Sequence, residues 1–98
     1  MNKKYFAVKL LPPRPDFAVT MTEDEKRVMQ EHGDYWRSYM DKGMVHVFGP
    51  VMDPNGVYGF GVVSVDNTEQ LEEFVNNDPS LKFNKVEYYP MLAIVAGK

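Results

Sequence analysis

The order in which the hydrophobic period changes along this chain constrains its fold more than any other feature. Two segments carry apolar residues at spacings of three and four, and each lies between segments whose apolar residues alternate or run together. A period near 3.6 residues puts one stripe of a helix on the core, whereas a period of 2 puts alternate strand residues on one sheet face. Tyr5–Leu11 is short, β-branched and aromatic, and ends at Pro12-Pro13, as a first strand would. Pro12-Pro13-Arg14-Pro15-Asp16-Phe17 cannot be helical, because each proline removes an amide donor and holds its predecessor extended, so an ordered loop is expected. Thr22 then supplies an N-cap, Glu25 completes a capping box, and Glu23 and Asp24 suit the positive end of a helix beginning near Glu23. In that helix Val28, Met29, His32, Tyr35, Trp36, Tyr39 and Met40 share a face, and Gly43 after Lys42 stops it.

Met44–Phe48 alternates into a second strand expected to end at Gly49-Pro50, and Met52-Asp53-Pro54-Asn55-Gly56 is a strong turn signal leading into a third strand, Tyr58–Val65. Gly59 and Gly61 sit at alternate positions of that strand, where a ring, a backbone or a ligand can approach closely. Asp66 or Asn67 caps a second helix with Leu71, Phe74 and Val75 inward, ending near Asn77 before Pro79. After a polar loop, Val86–Ala96 reads as a last strand interrupted or bulged at Pro90. The order is βαββαβ. With right-handed crossovers it gives an α+β, ferredoxin-like domain: a four-stranded antiparallel sheet with two helices on one face. The other face would be an exposed apolar patch, and a second copy of the chain packed on it, a homodimer, is the default expectation.

Composition narrows the function. Ninety-eight residues make one domain, 1–98, able to bury a core unaided. Without cysteine, thiolate catalysis, disulfides and cysteine zinc sites are excluded, and two histidines are a poor metal inventory, so neither metal nor cofactor is expected. Fourteen acidic against eleven basic side chains leave no basic stripe for a phosphate backbone, so nucleic acid is not an expected partner. The apolar run behind Met1-Asn2-Lys3-Lys4 is broken by Lys9 and by the prolines, too early for a secretory signal, and no run is long enough to span a bilayer. A soluble, cytoplasmic protein is expected. Gly56-Val57-Tyr58-Gly59-Phe60-Gly61 lies in a hairpin rather than between a strand and a helix N-terminus, so it is not a phosphate loop.

One acid/base pair can be proposed. His32 lies on the apolar stripe of the long helix, where it must be neutral, hydrogen-bonded or paired, and Asp78 in Asn77-Asp78-Pro79 is a plausible carboxylate partner. From periodicity alone His32 reads as a structural histidine, and Asp78 as an ordinary turn residue before proline. His46 alternates with Met44 and Phe48 and reads as a core or interface residue.

Gln30-Glu31-His32 on the long helix, the Lys42-Gly43 stop, Phe48-Gly49-Pro50 after the second strand and Asn77-Asp78-Pro79 after the second helix together resemble the YCII-related (YciI-like) family of dimeric α/β-barrel proteins. The resemblance covers nearly the whole chain, and the order and spacing of the Gly-Pro and Asp-Pro dipeptides carry it. It implies a small dimer with a pocket beside the sheet, in which His32 and Asp78 form an acid/base dyad. It also implies a small organic substrate, aromatic or cyclic compounds included, since one relative suggests a dehydrochlorinase acting on a chlorinated hydroxyquinol. The chain departs from shorter relatives in its Pro12–Phe17 loop and in the cluster Tyr35, Trp36 and Tyr39.

In such a dyad Asp78 would fix the tautomer of His32, leaving the other ring nitrogen for a general base or acid, a role worth roughly 100- to 10,000-fold in rate. No serine, threonine or cysteine stands in a nucleophile motif, so proton transfer, elimination or isomerisation, of lyase or isomerase type, fits better than acyl transfer. Trp36 packs the core or walls an aromatic-ligand pocket. Gly49 and Pro50 end a strand, with the glycine open to ligand approach. Arg14 is a surface arginine or meets an anionic substrate group. A non-catalytic binding or sensing module of the same fold is the alternative.

Overall fold

The computed structural model describes residues 3–97; Met1 and Asn2, half of the basic N-terminus, and Lys98 lie outside the described residues. The elements are β1 (Lys4–Leu11), α1 (Phe17–Thr20), α2 (Glu23–Asp41), β2 (Val45–Val51), β3 (Tyr58–Val65), α3 (Thr68–Asn76), a 3₁₀ turn (Pro79–Lys82) and β4 (Lys85–Met91). The four strands form one sheet in the order β2-β3-β1-β4, and every neighbouring pair is antiparallel. This is the ferredoxin-like arrangement expected from the βαββαβ order.

Local chemistry explains the two main helices. The Thr22 hydroxyl accepts from Glu25 N–H at 3.1 Å and the Glu25 carboxylate accepts from Thr22 N–H at 2.9 Å, closing the capping box of α2. At its other end Gly43 takes φ +84°, donates its N–H to Met40 O at 2.9 Å, and Met44 donates to Tyr39 O at 3.0 Å, which is a Schellman stop. Of the two candidate caps for α3 it is the Asn67 side chain that accepts from Gln70 N–H, while the Gln70 side chain accepts from Asp66 N–H.

Phe6, Val8, Val63 and Val65 point from the central strands toward Trp36 of α2 and Leu71, Phe74 and Val75 of α3, so both helices cover the same sheet face. The rings of Tyr35 and Tyr39 lie 5.4 Å and 4.8 Å from that of Phe74, clamping α2 to α3. Trp36 reaches the sheet. There it lies over Gly61, where an added Cβ would stand 2.5 Å from the indole, so the glycine of β3 is required for the ring to seat.

Several expected element boundaries are corrected. β2 continues through Gly49 and Pro50 to Val51, and β4 runs through Pro90, which pairs with Phe6. Both strands are sheet edges, where proline's missing N–H costs no ladder bond if it faces outward. β4 stops at Met91 rather than Ala96, and residues 92–96 form no strand, with Leu92 and Ile94 fully exposed. Residues 12–16 are non-helical as expected, and only Phe17 at the end of the stretch enters the short α1, where the Arg14 and Asp16 carbonyls accept from the N–H groups of Phe17 and Val19. Phe17 is buried against Phe83, ring to ring at 5.5 Å. The polar segment after α3 is not a plain loop either: Pro79 begins a 3₁₀ turn for which Asp78 is the N-cap.

Candidate functional site

The sheet and the helical layer do not meet everywhere. Between the C-terminal half of β1, the start of β3, α2 and the α1 segment lies a cavity of about 390 Å³. Its floor is Leu10, Gly59 and Pro50, paired across three adjacent strands on the helix-covered face. A Cβ on Gly59 would come within 3.1 Å of Leu10, so this glycine both permits the strand pairing and keeps the floor low. Met29, His32 and Trp36 of α2 form one wall, Phe17, Ala18 and Met21 a second, and Met52 and Val57 of the β2–β3 turn a third. No Lys, Arg, Asp or Glu borders the space.

His32 and Asp78, forty-six residues apart in sequence, meet at its edge. The 3₁₀ turn packs against α2 and delivers the Asp78 carboxylate beside the ring, with His32 Nδ1 2.8 Å from Oδ2 and 3.0 Å from Oδ1. Trp36, one helical turn beyond His32, donates its indole N–H to Oδ2 at 2.7 Å, and Ser80 donates its backbone N–H to Oδ1 at 2.8 Å. The carboxylate is 4 % exposed and the imidazole 13 %. Burial pushes the Asp78 carboxyl up, but the His32 hydrogen bond and charge, helped by the Ser80 and Trp36 donors, outweigh it and hold the group below its ordinary value. An ionised carboxylate only accepts, so it assigns the proton of neutral His32 to Nδ1 and leaves Nε2 as the basic nitrogen. No protein atom among the described residues bonds Nε2.

Gly49 and Pro50 border the cavity with Trp36, while Arg14 does not. Its guanidinium grips the Glu25 carboxylate at 3.0 and 2.8 Å and bonds the Thr20 hydroxyl and carbonyl, tying the α1 segment to the start of α2. His46 stands apart on β2, exposed at the bulge between Val45 and Val47, with Nε2 2.7 Å from Ser64 Oγ.

Two residues of the site escaped the sequence. Ser80, fully buried, holds Asp78 through its N–H; its hydroxyl lies 3.5 Å from the nitrogen of His32 that Asp78 already occupies, so His32 is not placed to activate it. The Asp-Pro-Ser order, an N-cap followed by proline at the first helical position, was the available signal. Asn84 borders the cavity and is 6 % exposed, with its carboxamide oxygen buried and unbonded to any protein atom among the described residues. Such an acceptor costs roughly 1–3 kcal/mol of stability. No sequence signal marks it.

A ferredoxin-like α+β domain with a hydrogen-bonded His-Asp pair beside an apolar cavity is the class that this geometry defines. The YCII-related domain model matches residues 6–94, and the chain belongs to that family. Its fold is similar to that of the uncharacterized protein TM1266 from Thermotoga maritima, with a TM-score of 0.53 at 13% identity, covering 92% of this chain and 99% of that one. No curated protein matches the chain. Among the described residues no helix is long and apolar enough to cross a membrane, and no cluster of three or more His, Cys, Asp or Glu side chains could hold a metal ion.

Proposed function

We propose that the protein is a cofactor-independent enzyme that moves a proton on a small, largely apolar organic substrate, with aromatic and cyclic compounds the leading class. The observation that carries the reading is the 2.8 Å His32–Asp78 contact at the edge of a 390 Å³ apolar cavity. Asp78, itself held by the Trp36 indole, fixes the ring and its tautomer, and Nε2 of His32 takes a proton from a substrate carbon or hydroxyl; in an isomerisation it returns the proton to another substrate atom, and in an elimination the leaving group, such as chloride, departs with its bonding pair while the proton passes to solvent. When the proton arrives, the imidazolium forms against a carboxylate already in place, so little reorganisation is needed.

The test is proton exchange, which needs no knowledge of the product. Cyclic enols and chlorinated hydroxyquinols are incubated with the protein in deuterated water and followed by proton NMR. Exchange or conversion should be lost by roughly 100-fold or more in His32→Ala, and an unchanged rate in that variant removes His32 from the mechanism. The second reading, a non-catalytic binding module, is favoured by the absence of any Lys, Arg, Asp or Glu around the cavity. A compound bound and released unaltered, with equal affinity in wild type and His32→Ala, would establish it.

The proposed assembly is a homodimer through the open sheet face. Val47, Phe60, Tyr89 and Met91 stand there 57%, 37%, 56% and 40% exposed, with no helix over them. A sedimentation mass equal to one chain would rule it out.

A further inference from the structure

We infer that Asn84 determines which ligands the cavity accepts: its carboxamide takes a hydrogen bond from a hydroxyl or N–H on an otherwise apolar, uncharged molecule seated against His32. The inference rests on reading the cavity as a ligand site, and it adds the residue that reads the ligand and the group that is read.

The carboxamide is almost wholly uncommitted. Its oxygen is the one buried side-chain N or O atom among the described residues that lacks a protein partner. Its nitrogen donates only to Met29 Sδ at 3.4 Å, and a thioether is a weak acceptor. As it stands the oxygen is closed off from the cavity, so to meet a ligand the amide must turn about its last side-chain bond, and it gives up only that weak contact in doing so. The backbone, by contrast, is held: Asn84 N–H donates to Ser80 O at 2.9 Å, in the 3₁₀ turn whose other end carries Asp78. One rigid turn thus places both the carboxylate that orients His32 and the amide that has nothing to bind.

The position of Asn84 also suits recognition. It contacts Met29, which lies three residues before His32 on the cavity face of α2, and Asn84 and His32 both line the same space. The other polar side chains at the cavity are spent or turned away: the Trp36 N–H is held by Asp78, and Tyr58 alternates with Gly59 onto the opposite sheet face, under Lys9. With no Lys, Arg, Asp or Glu around the space, a charged ligand group would find no fixed counter-ion. A donor meeting Asn84 relieves an unpaired acceptor, and an analogue without it leaves the acceptor unpaired, which is the arrangement by which a site rejects an isostere.

The experiment compares 2-naphthol with 2-methoxynaphthalene, which differ in one hydroxyl donor, by titration calorimetry on the full chain. The wild type should bind the naphthol roughly 10-fold or more tighter than the ether. Asn84→Leu should bring the two within about 2-fold of each other, and should melt no lower than the wild type, because it removes an unpaired polar group. Asn84→Ala serves as the second variant, with the same expectation for the ratio. His32→Ala should keep the preference. A preference that survives both Asn84 variants, one that disappears in His32→Ala instead, or equal wild-type affinities overturn the inference while the cavity stands as a ligand site. Binding of neither probe overturns the inference and the ligand-site reading together.

Discussion

Asp78→Asn probes the centre of the site with almost no change of shape. The native carboxylate accepts from three donors at once, the His32 ring, the Trp36 indole and the Ser80 backbone. A carboxamide has one oxygen and one donor group, so it can serve these partners in only two ways. With its nitrogen toward Ser80, it keeps the indole and imidazole bonds and leaves the Ser80 N–H facing another N–H. With its nitrogen toward His32, it forces the ring into the Nε2–H tautomer and orphans the Trp36 N–H. Either choice strands one buried donor, at roughly 1–3 kcal/mol, and weakens the surviving bonds because they are no longer charge-assisted. Removing the desolvation cost of the buried carboxylate offsets part of this, so the expected loss is about 2–4 kcal/mol at neutral pH, or roughly 10–25 °C in melting temperature for a domain of this size.

The same reasoning gives a sign for the pH dependence. The Asp78 pKa in the folded protein lies below its ordinary value of 3.8, so the ionised group stabilises the fold above that value, and the contribution is lost as pH falls through the folded pKa. Asparagine mimics the protonated acid at every pH. Wild type and variant should therefore differ most at neutral pH and converge as pH falls below about 4. Denaturant unfolding at fixed protein concentration, from pH 7 down to pH 3, measures the gap, and nitrogen-15 NMR of His32 reads the tautomer. A gap under about 0.5 kcal/mol at neutral pH, a gap that does not shrink on acidification, or a wild-type ring protonated only at Nε2 would refute the argument.

Two further outcomes follow from the packing. Gly61→Ala places a methyl 2.5 Å from the Trp36 ring and 3.0 Å from Phe48 Cβ, so the indole must tilt away from Asp78. The expected cost is about 1–3 kcal/mol, with a shift in the fluorescence of the single tryptophan; unchanged stability and emission would contradict the seating described. Arg14→Met should let the Glu25 carboxyl titrate well above the value of about 2 at which the Arg14 hydrogen bond, and next the Thr22 backbone, hold it, toward its ordinary 4.5. The native pairing stabilises the fold above pH 4.5 and is lost as pH falls toward 2, so the variant's stability should vary less over that window, as carbon-13 NMR and acid unfolding would show.

The helices and their ends were legible because their signals are local. The Thr22 and Glu25 capping box, the Gly43 stop and the Asp53–Gly56 turn each depend on bonds spanning no more than a few residues, so composition and spacing suffice. The ends of β2 and β4 were misjudged for a non-local reason. Whether a proline terminates a strand depends on whether that strand is an edge, and the edge positions follow from the β2-β3-β1-β4 order. The α1 segment was hidden by its prolines, and its burial comes from Phe83 across the fold.

By itself the sequence determined the alternation of strand and helix, the caps that bound the helices, and hence a sheet with one helix-covered face. It also marked His32 and Asp78 as residues in need of partners. The tertiary structure decided that these two are partners of each other, that Trp36 and Ser80 complete the ring of donors around the carboxylate, and that the space beside them is apolar with one idle amide, Asn84, in its wall. The physical reason is range. Capping and periodicity act within a turn or two of chain, whereas a contact across forty-six residues exists only because α2, the sheet and the 3₁₀ turn pack as one body.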